Sequence, residues 1–379
     1  MLKVLSLFSG IGAFEKSLEN LGVPFELVAF CDKDRQATKS YCAIHSVDES
    51  KNLGDITKVD ETKLPKDIDV CCYGFPCQDI SLCGKQKGLF NEDGTQTRSG
   101  LFFDAHRIIE ATKPKIAIAE NVKNLVSKKF NAQFQIVLAS LEAAEYNNYY
   151  TVLNAKDCGV PQNRERVFIV SIRKDIDHGL FQFPKPFPLE KRLKDVLENN
   201  VDEKYFLSDE MVECIFAKKT DSVLVREATK TGYAEAFEGD SINLDYPNSK
   251  TRRGRVGKQV AQTLTTSCNQ AVLVWDGFNQ RVRADSSVVG TLTRNCGADL
   301  KRNGQGIITI TDDAKCLRIR NLTPKECFRL MGFDDESFHR AEAVNSNSQL
   351  YKQAGNSIVV DVLEELFRMM LDKNGEINV

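Results

Sequence analysis

A chain of 379 residues is long enough to bury one large core and to carry a second, smaller domain. Its composition, 42% hydrophobic and 27% charged, is that of a globular protein, and a net charge of −2 leaves room for a basic patch on one face. The N-terminal run MLKVLSLFSGIG is too short for a membrane span and lacks the features of a signal peptide, so we expect a cytoplasmic protein.

Strand-like apolar runs alternate with helical patterns from residue 1 to about 175. The run KVLSLF leads through a glycine turn into AFEKSLENLG, where Phe14, Leu18 and Leu21 recur at helical spacing and Gly22 marks the end. Such alternation is typical of βαβ units and a parallel sheet. Further strands are predicted at FELVAFCD, IDVCCYGFP, KIAIAENV and RVFIVSI.

The predicted strands end in residues that can do chemistry. In open α/β sheets, ligands bind beyond the carboxyl ends of the strands, near a topological switch point. We therefore expect the strand ends to meet in one crevice. They are Phe8 to Gly12, Asp32, Gly74 to Gln78, and Glu120 to Val122.

The pattern changes after the proline-rich linker FQFPKPFPLEKR. Residues 190 to about 315 contain short β-like runs, basic loops and a weak repeat, with the leucines of two TLT triplets at Leu264 and Leu292. This region is a candidate second domain. Helical patterning then returns, with a capping box at Thr323, Pro324 and Glu326 and a final amphipathic helix in NSIVVDVLEELFRMML.

Twelve cysteines accompany only four histidines, which favours reduced thiols over a disulfide framework in a long chain without an export signal. Cys71, Cys72, Cys77 and Cys83 are close in sequence, but no C-x-x-C pair occurs. Cys71 and Cys72 would also point to opposite sides of a strand. We therefore expect no metal site.

The turn FSGIG and the acid Asp32 favour an adenosine-bearing cofactor. The turn lacks the G-x-G-x-x-G spacing of a pyrophosphate-binding fingerprint. Asp32, at the end of the second strand, could accept hydrogen bonds from ribose hydroxyls, with a helix N-cap as the alternative. In GDI, Asp55 would approach the adenine amine and Ile56 the adenine ring. Together, these features predict an adenosine-bearing cofactor that has no pyrophosphate.

Cys77 in GFPCQ is a candidate nucleophile, because Pro76 fixes the backbone where a strand gives way to a loop. The alternative is a small buried hydrophobic residue. The polar loop from Ser81 to Gly100 is long enough to be a lid. Glu120, behind an apolar run, should hold its proton and could donate a hydrogen bond.

Positive charge is concentrated in two segments. QNRERVF supplies Gln162, Arg164 and Arg166, whose arginines alternate along one strand face and could reach phosphates or a base edge. A surface salt bridge with Glu165 or Asp157 is the alternative. KTRRGRVGK, residues 250–258, has five basic residues and no acid, as in a nucleic-acid contact or a solvated loop.

The chain resembles the DNA cytosine-5 methyltransferase family. FSGIG, GFPCQDIS, AENV, QNRERVF, NLTPKECFRLMGF and YKQAGNSIV stand in that family's order and spacing, over roughly residues 1–180 and 316–370. The resemblance implies an α/β S-adenosylmethionine-dependent methyltransferase fold, a Rossmann-like mixed sheet with helices on both faces. It assigns residues 1–185 and 316–379 to the catalytic, cofactor-binding domain and residues 190–315 to a smaller, β-rich target recognition domain.

The resemblance also implies S-adenosyl-L-methionine as the cofactor. Asp32 takes the place of the usual glutamate, which shortens the reach to the ribose. The cofactor-binding positions implied by the family pattern are Phe8, Ser9, Gly10, Ile11, Gly12, Asp32, Asp55, Ile56, Gly74, Pro76, Asn356 and Ser357.

The catalytic residues implied are Cys77 as nucleophile, Glu120 as the acid that grips the target base, and Arg164 and Arg166 as the arginines that position it. The expected partner is double-stranded DNA, with no metal and no membrane. We expect a monomer, with a restriction endonuclease as a candidate companion. The implied DNA-binding positions are Gln78, Ser81, Arg98, Gln162, Arg252, Arg253, Arg255, Lys301 and Arg302.

Three other interpretations compete with a DNA methyltransferase. A tRNA cytosine methyltransferase would use the same chemistry, but its relatives have a small middle region, whereas residues 190–315 here are long and basic in places. A catalytically silent binding protein would not need Cys77, Glu120 and Arg166. A nicotinamide dehydrogenase would be expected to carry G-x-G-x-x-G.

Overall fold

The computed structural model describes residues 1–81, 86–207, 216–218, 222–246, 249, 251, 253–266, 270–275 and 317–379. Three of the positions predicted to contact DNA, Arg252, Lys301 and Arg302, lie outside the described residues. The second TLT triplet, around Leu292, lies outside them too.

The chain divides into two compact units. Unit 1 comprises Met1–Val201, Gln259–Gln270 and Leu322–Val379, and unit 2 comprises Asp202–Lys258 and Ala271–Asn321. Unit 1 therefore extends beyond the predicted boundary at residue 185 and includes a short segment of the predicted middle domain. The assignment of residues 190–315 to target recognition stays a prediction.

The helices and strands of unit 1 follow the predicted alternation through its N-terminal half. Its strands are β1 (Leu2–Leu7), β2 (Phe25–Cys31), β3 (Val70–Tyr73), β4 (Ile116–Val122), β5 (Tyr146–Asn154), β6 (Gln162–Asn163), β7 (Glu165–Arg173) and β13 (Ala261–Gln262). Its helices are α1 (Ala13–Asn20), α2 (Arg35–His45), α3 (Phe102–Thr112), α4 (Asn131–Ala143), α5 (Pro324–Leu330), α6 (Asp335–Glu342), α7 (Asn347–Asn356) and α8 (Val360–Met370).

Six strands of unit 1 form one mixed sheet in the order β2-β1-β3-β4-β7-β5. The first four are parallel, whereas β7 runs antiparallel to both β4 and β5. The run RVFIVSI is thus a strand, as predicted, but its direction breaks the parallel pattern. The edge strand β5 was not predicted, because YNNYYTVLN is polar and only half buried and lacks a clear apolar period.

The register of the parallel strands explains why their ends form one site. Leu7 pairs with Cys31 and with Tyr73, and Tyr73 pairs with Ala119. The residues that follow these partners therefore reach the carboxyl edge of the sheet at one level. They are Phe8, Asp32, Gly74 and Glu120.

The C-terminal part of unit 1 begins with the predicted capping box. Thr323 Oγ1 accepts the backbone N–H of Glu326, and Glu326 Oε2 accepts that of Thr323. The final helix starts at Val360, because α7 ends at Asn356 and Ser357 is extended. The prediction that this helix starts at Asn356 is therefore wrong by four residues, and Asn356 belongs to the end of the preceding helix.

Unit 2 is built from short strands, as its sequence predicted. They are β8 (Phe216–Lys218), β9 (Val223–Arg226), β10 (Tyr233–Ala236), β11 (Ser241–Asn243), β12 (Val256–Gly257), β14 (Gln270–Trp275) and β15 (Leu317–Asn321). They form sheets in the orders β10-β9-β8 and β12-β11-β14-β15. Val225, Ile242 and Leu273 lie in their common core. Across the described part of the chain, none of the helices combines the length and apolar character that a bilayer crossing needs.

Candidate active site

A cavity of about 350 Å³ lies at the carboxyl edge of the unit 1 sheet. This volume is within the range of small-molecule sites. Residues from all four strand ends that were expected to meet in one crevice line this cavity. The predicted site residues that line it are Phe8, Gly10, Ile11, Asp32, Asp55, Ile56, Gly74, Pro76, Cys77, Gln78, Glu120, Arg164, Arg166 and Asn356.

Cys77 stands in a tight turn just after β3. Its carbonyl accepts the backbone N–H groups of Ile80 at 3.0 Å and Ser81 at 2.8 Å. On the other side, Asn121 Nδ2 donates to the carbonyl of buried Phe75 at 2.9 Å. These bonds fix the main chain on both sides of the half-buried Cys77 side chain, which faces the cavity.

Glu120 and Arg166 form an ion pair in the same wall. Arg166 Nε lies 3.0 Å from Glu120 Oε1, and both side chains are less than one-fifth exposed. Burial raises the pKa of the Glu120 carboxyl, while Arg166 and Arg164 oppose the rise. Removal from water thus outweighs the two cations, so the carboxyl holds its proton to higher pH than an exposed glutamate.

The pKa of the Cys77 thiol is raised as well. Burial is the main cause, the charge of Glu120 adds to it, and Arg166 and Arg164 act in the opposite direction. A nucleophilic cysteine needs a site that favours the thiolate, but the cavity by itself favours the thiol. The physical reason is that a thiolate here would lose hydration and lie close to a carboxylate.

Arg164 is buried, and its guanidinium is bonded to the main chain. It donates to the carbonyls of Leu264 at 3.3 Å, Gly355 at 3.2 Å and Ser357 at 2.7 Å. Burial lowers its pKa to about 9, with Arg166 adding to the effect. Arg164 therefore joins three separate segments of unit 1, and a direct contact with the base or its phosphates stays a prediction.

Asp32 and Gly10, two of the predicted cofactor positions, also line the cavity and are bonded to each other. Asp32 Oδ2 accepts the N–H of Gly10 at 2.8 Å, and Oδ1 accepts that of Asp34 at 2.8 Å. Burial raises the pKa of Asp32, and these two backbone bonds oppose the rise. A Cβ at Gly10, where φ is +57°, would have no atom of the described residues within 4 Å apart from its two chain neighbours, so the main chain is open to a ligand there.

Three predicted cofactor positions lie behind the cavity wall. Ser9 Oγ donates to the Cys31 carbonyl at 3.1 Å, and buried Ser357 gives its own carbonyl to Arg164. A Cβ at Gly12, where φ is +81°, would lie 2.1 Å from His45 Nε2. Gly12 is therefore required by packing at the start of α1, whatever it contributes to cofactor binding.

The spacing of the cysteines predicts that there is no metal site. Within the described ranges, no group of three or more His, Cys, Asp or Glu side chains could hold a metal ion. The seven cysteines in those ranges are free thiols.

The comparisons with known proteins agree with these motifs. A family model described as C-5 cytosine-specific DNA methylase matches residues 2–372. This chain belongs to the C-5 cytosine-specific DNA methylase family. Both the predicted family and the predicted DNA (cytosine-5)-methyltransferase activity are confirmed.

Relatives in this family match almost the whole chain. The orphan methyltransferase M.SPRI of Bacillus phage SPR is 35% identical over 437 residues, covering 98% of this chain and 97% of the phage enzyme. The type II methyltransferase M.HhaI of Haemophilus parahaemolyticus is 33% identical over 364 residues, covering 96% and 92%. Both orphan and type II enzymes are thus among the similar proteins.

The fold has solved counterparts at lower sequence identity. Entamoeba histolytica methyltransferase EhMeth has a TM-score of 0.63 and 16% identity, with 97% of each chain covered. This likeness concerns the fold alone. The mixed sheet and its helices are consistent with the methyltransferase fold expected from the sequence.

The predicted DNA-binding positions have different surroundings in this methyltransferase. Gln78 and Arg98 are exposed and bonded to each other, with Arg98 Nη1 donating to Gln78 Oε1 at 2.6 Å. Buried Gln162 donates to the Leu330 carbonyl at 2.8 Å and accepts the N–H of Leu264 at 3.3 Å. Ser81 lies in the turn of Cys77.

In unit 2, Arg253 is exposed but Arg255 is completely buried. Arg255 donates to the carbonyls of Asn243 at 3.1 Å, Asp245 at 2.9 Å and Tyr246 at 2.6 Å. The guanidinium therefore braces a loop of unit 2, and the prediction of a DNA contact at Arg255 gains no support from its position. A run of basic letters cannot distinguish a buried arginine from its exposed neighbours.

Several lining residues were missed by sequence reasoning. Lys33 and Asp34 follow the predicted Asp32, and Lys352 and Gln353 belong to the quoted motif YKQAGNSIV. Lys352 Nζ donates to Asp34 Oδ2 at 2.6 Å, which ties α7 to the start of α2 beside the cavity. The sequence could have identified Lys352 as a lining residue, because it precedes the predicted site residue Asn356 by one helical turn and therefore lies on the same helix face.

Proposed function

We propose that this enzyme methylates carbon 5 of a cytosine that it has flipped out of duplex DNA, through a covalent bond between Cys77 and carbon 6. The observation that carries the proposal is one cavity whose lining includes Cys77, Glu120 and Arg166 together with Gly10 and Asp32. A nucleophile, a base-gripping acid and an adenosine site within one cavity match the needs of a methyl transfer between a base and a nucleoside cofactor.

The residues fit S-adenosyl-L-methionine as the cofactor, which supplies an electrophilic methyl group when bound. Asp32, whose two carboxylate oxygens each have a lone pair beyond the backbone bond, would accept the ribose hydroxyls. Asp55 and Ile56 would hold the adenine, and Asn356 would contribute from the C-terminal segment. The open main chain at Gly10 leaves room for the ligand to approach.

Carbon 5 of cytosine is too weak a nucleophile to take a methyl group directly. When the Cys77 thiolate attacks carbon 6, the new C–S bond displaces ring electrons toward carbon 5 and nitrogen 3 and makes carbon 5 nucleophilic. Carbon 5 then takes the methyl group. Loss of the proton from carbon 5 and departure of the thiolate from carbon 6 restore the aromatic ring.

Glu120 is the acid in this scheme. A carboxyl that keeps its proton in a buried site can donate a hydrogen bond to ring nitrogen 3 and accept one from the exocyclic amine of cytosine. The hydrogen bond to nitrogen 3 strengthens as charge develops there. Arg166 would orient the Glu120 carboxyl, since its Nε is already bonded to Oε1.

Base flipping follows from the depth of the site. A side chain inside a protein cavity cannot reach carbon 6 of a base that is stacked in a duplex. The cytosine therefore has to leave the helix, at a cost of a few kcal/mol. The loop from Ser81 to Gly100 is proposed to close over the extruded base. Unit 2, with Arg253 among its exposed groups, is proposed to select the DNA sequence. We propose a monomer for the active species.

Substitution of the nucleophile tests the proposal. Cys77→Ser should lower methyl transfer to duplex DNA by at least about 10⁴-fold, because a neutral hydroxyl cannot replace the thiolate, while DNA affinity changes little. Methyl incorporation and gel-shift titrations measure the two effects. A duplex with 5-fluorocytosine at the target should trap wild-type enzyme covalently, whereas the Cys77→Ser variant should bind the duplex without forming a covalent complex.

Cys42→Ser is the matched control, since Cys42 is also a half-buried free thiol but does not line the cavity. It should remain active and form the trapped complex. A fully active Cys77→Ser enzyme would refute the covalent mechanism. Faster methylation of tRNA than of duplex DNA would refute the proposed substrate while leaving the chemistry intact.

A further inference from the structure

Asp79 is a buried carboxylate that both ends of the neighbouring loop contact. The residue is only 6% exposed, although it follows the exposed Gln78. Its backbone carbonyl accepts the N–H of Gly88 at 2.7 Å, and its Oδ2 accepts the N–H of Arg98 at 3.2 Å. Its own N–H donates to Ser99 Oγ at 3.3 Å. The loop thus leaves Asp79 and returns to it.

A second layer of bonds holds the returning segment against the unit 1 core. The N–H of Thr97 donates to the Leu89 carbonyl at 2.9 Å, and Thr97 Oγ1 donates to the Gly88 carbonyl at 2.5 Å. Leu89 is fully buried, and its N–H donates to Gln133 Oε1 at 2.5 Å. A Cβ at Gly100 would lie 2.6 Å from the Leu89 carbonyl oxygen. These contacts leave little freedom at the base of the loop.

These bonds fix the main chain at Arg98, whereas the Arg98 side chain is exposed. Its guanidinium donates to Gln78 Oε1 at 2.6 Å, and Gln78 lines the cavity next to Cys77. A guanidinium has five N–H donors in a planar fork, so a bond to Gln78 leaves others that can bind a phosphate. Gln78 also presents an amide N–H₂ group that can donate to the same anion.

We propose that Asp79 is a positioning residue, which fixes the main chain at Arg98 so that the Arg98–Gln78 pair binds a phosphodiester of the strand carrying the target cytosine. The proposal rests on the proposed function, because it assumes that this strand enters the cavity. Whether DNA binding becomes stronger or weaker when Asp79 is replaced distinguishes a positioning role from a simple effect of its charge. Loss of a negative charge beside DNA would by itself strengthen binding, whereas loss of the hydrogen-bond acceptor should weaken it.

The test compares Asp79→Ala with Asp79→Asn, which keeps an acceptor oxygen while removing the same charge. We expect Asp79→Ala to weaken binding of a target duplex about tenfold and to reduce the salt slope of log K by about one, as for one lost phosphate contact. Asp79→Asn should restore binding to within about threefold of wild type, since an amide oxygen still accepts the Arg98 N–H. Asp79→Ser takes the place of the alanine variant if that protein does not fold.

A double-mutant cycle with Arg98→Ala shows whether Asp79 acts through Arg98. In the Arg98→Ala background, Asp79→Ala should have no further effect on DNA affinity or salt slope. Asp93→Ala removes the same charge from the exposed tip of the loop and should not weaken binding. Additive effects, unchanged binding by Asp79→Ala, or equal losses in DNA affinity and S-adenosylmethionine affinity would overturn the proposal.

The 5-fluorocytosine trap separates the two levels of inference. If wild-type enzyme forms no covalent complex, the proposed function fails. If wild-type enzyme is trapped and Asp79→Ala is trapped equally fast at limiting DNA, only the role of Asp79 is wrong.

Discussion

At the scale of single residues, the cavity shifts the pKa of two groups that the proposed chemistry needs. Burial raises the pKa of both the Cys77 thiol and the Glu120 carboxyl. A raised pKa suits Glu120 as an acid, because its carboxyl takes up a proton more readily, but the same direction opposes ionisation of the Cys77 thiol to a nucleophile. The DNA-free cavity therefore favours the thiol form, and the proposed mechanism requires that substrate binding promote its ionisation.

The rate of Cys77 alkylation should report these interactions. Because the thiolate is the reactive form, alkylation of the free enzyme by iodoacetamide should rise with pH and reach its plateau at higher pH than for an exposed thiol. Glu120→Gln removes a negative charge that raises the Cys77 pKa, so its profile should shift to lower pH. Arg166→Gln removes a cation that lowers it, so its profile should shift to higher pH.

Mass spectrometry of the peptide that contains Cys77 distinguishes this thiol from the others. We also expect Glu120→Gln to be a slow methyltransferase with near-normal affinity for S-adenosylmethionine. Shifts of the two profiles in the same direction would contradict the assigned charges. Unchanged single-turnover methylation by Glu120→Gln would remove Glu120 from the chemistry.

At the scale of secondary-structure elements, the turn from β1 to α1 contains two glycines, and each position requires glycine for a different physical reason. Gly10 and Gly12 both have left-handed φ values, +57° and +81°. Open space surrounds a built Cβ at Gly10, whereas a Cβ at Gly12 would overlap the buried His45 ring. One glycine is therefore tied to the cavity and the other to helix packing.

Alanine substitutions should separate these two reasons. Gly12→Ala should lower the free energy of unfolding by about 2 kcal/mol or more, because strain and steric overlap combine in a buried place. Gly10→Ala should cost only about 1 kcal/mol of stability, from its φ angle alone, but weaken S-adenosylmethionine binding about tenfold. Urea denaturation and calorimetric titration measure the two quantities. The idea fails if the Gly10 variant binds cofactor normally.

Element boundaries were predictable where local bonds decide them. The capping box at Thr323 and Glu326 formed as expected, since all its partners lie within one turn of helix. β5 was missed because its pairing with β7, and not its own residue pattern, makes it a strand. Strand formation in a half-buried edge depends on a neighbour that is distant in sequence.

At the scale of the whole molecule, unit 1 is assembled from three stretches of chain that meet at Arg164. Its guanidinium donates to carbonyls of Leu264, Gly355 and Ser357, which lie 100, 191 and 193 residues further along. Nearby, Gln162 is bonded to Leu264 and Leu330. The two residues that were predicted from sequence as DNA or base contacts thus hold the C-terminal segments in place.

Arg164→Lys should destabilise unit 1 by about 2–4 kcal/mol, because one ammonium cannot replace a planar fork on three buried carbonyls. Guanidinium chloride unfolding measures the change. Arg368→Lys is the matched control, since this exposed arginine pairs with Glu364 and Glu365, and should change stability by no more than about 0.5 kcal/mol. Equal stability of the two variants would contradict the role of Arg164.

The amino-acid sequence by itself determined five of the six strands of the unit 1 sheet, all except β5, and the motif residues at the strand ends. It also determined the methyltransferase family. These features depend on local periodicity and on short motifs, so neighbouring residues are enough to reveal them. Only the tertiary structure decided that β7 runs antiparallel and that Arg164, Gln162 and Arg255 are buried. Their acceptors are carbonyls supplied by other segments, and whether an arginine faces solvent or the main chain depends on which segments fold around it.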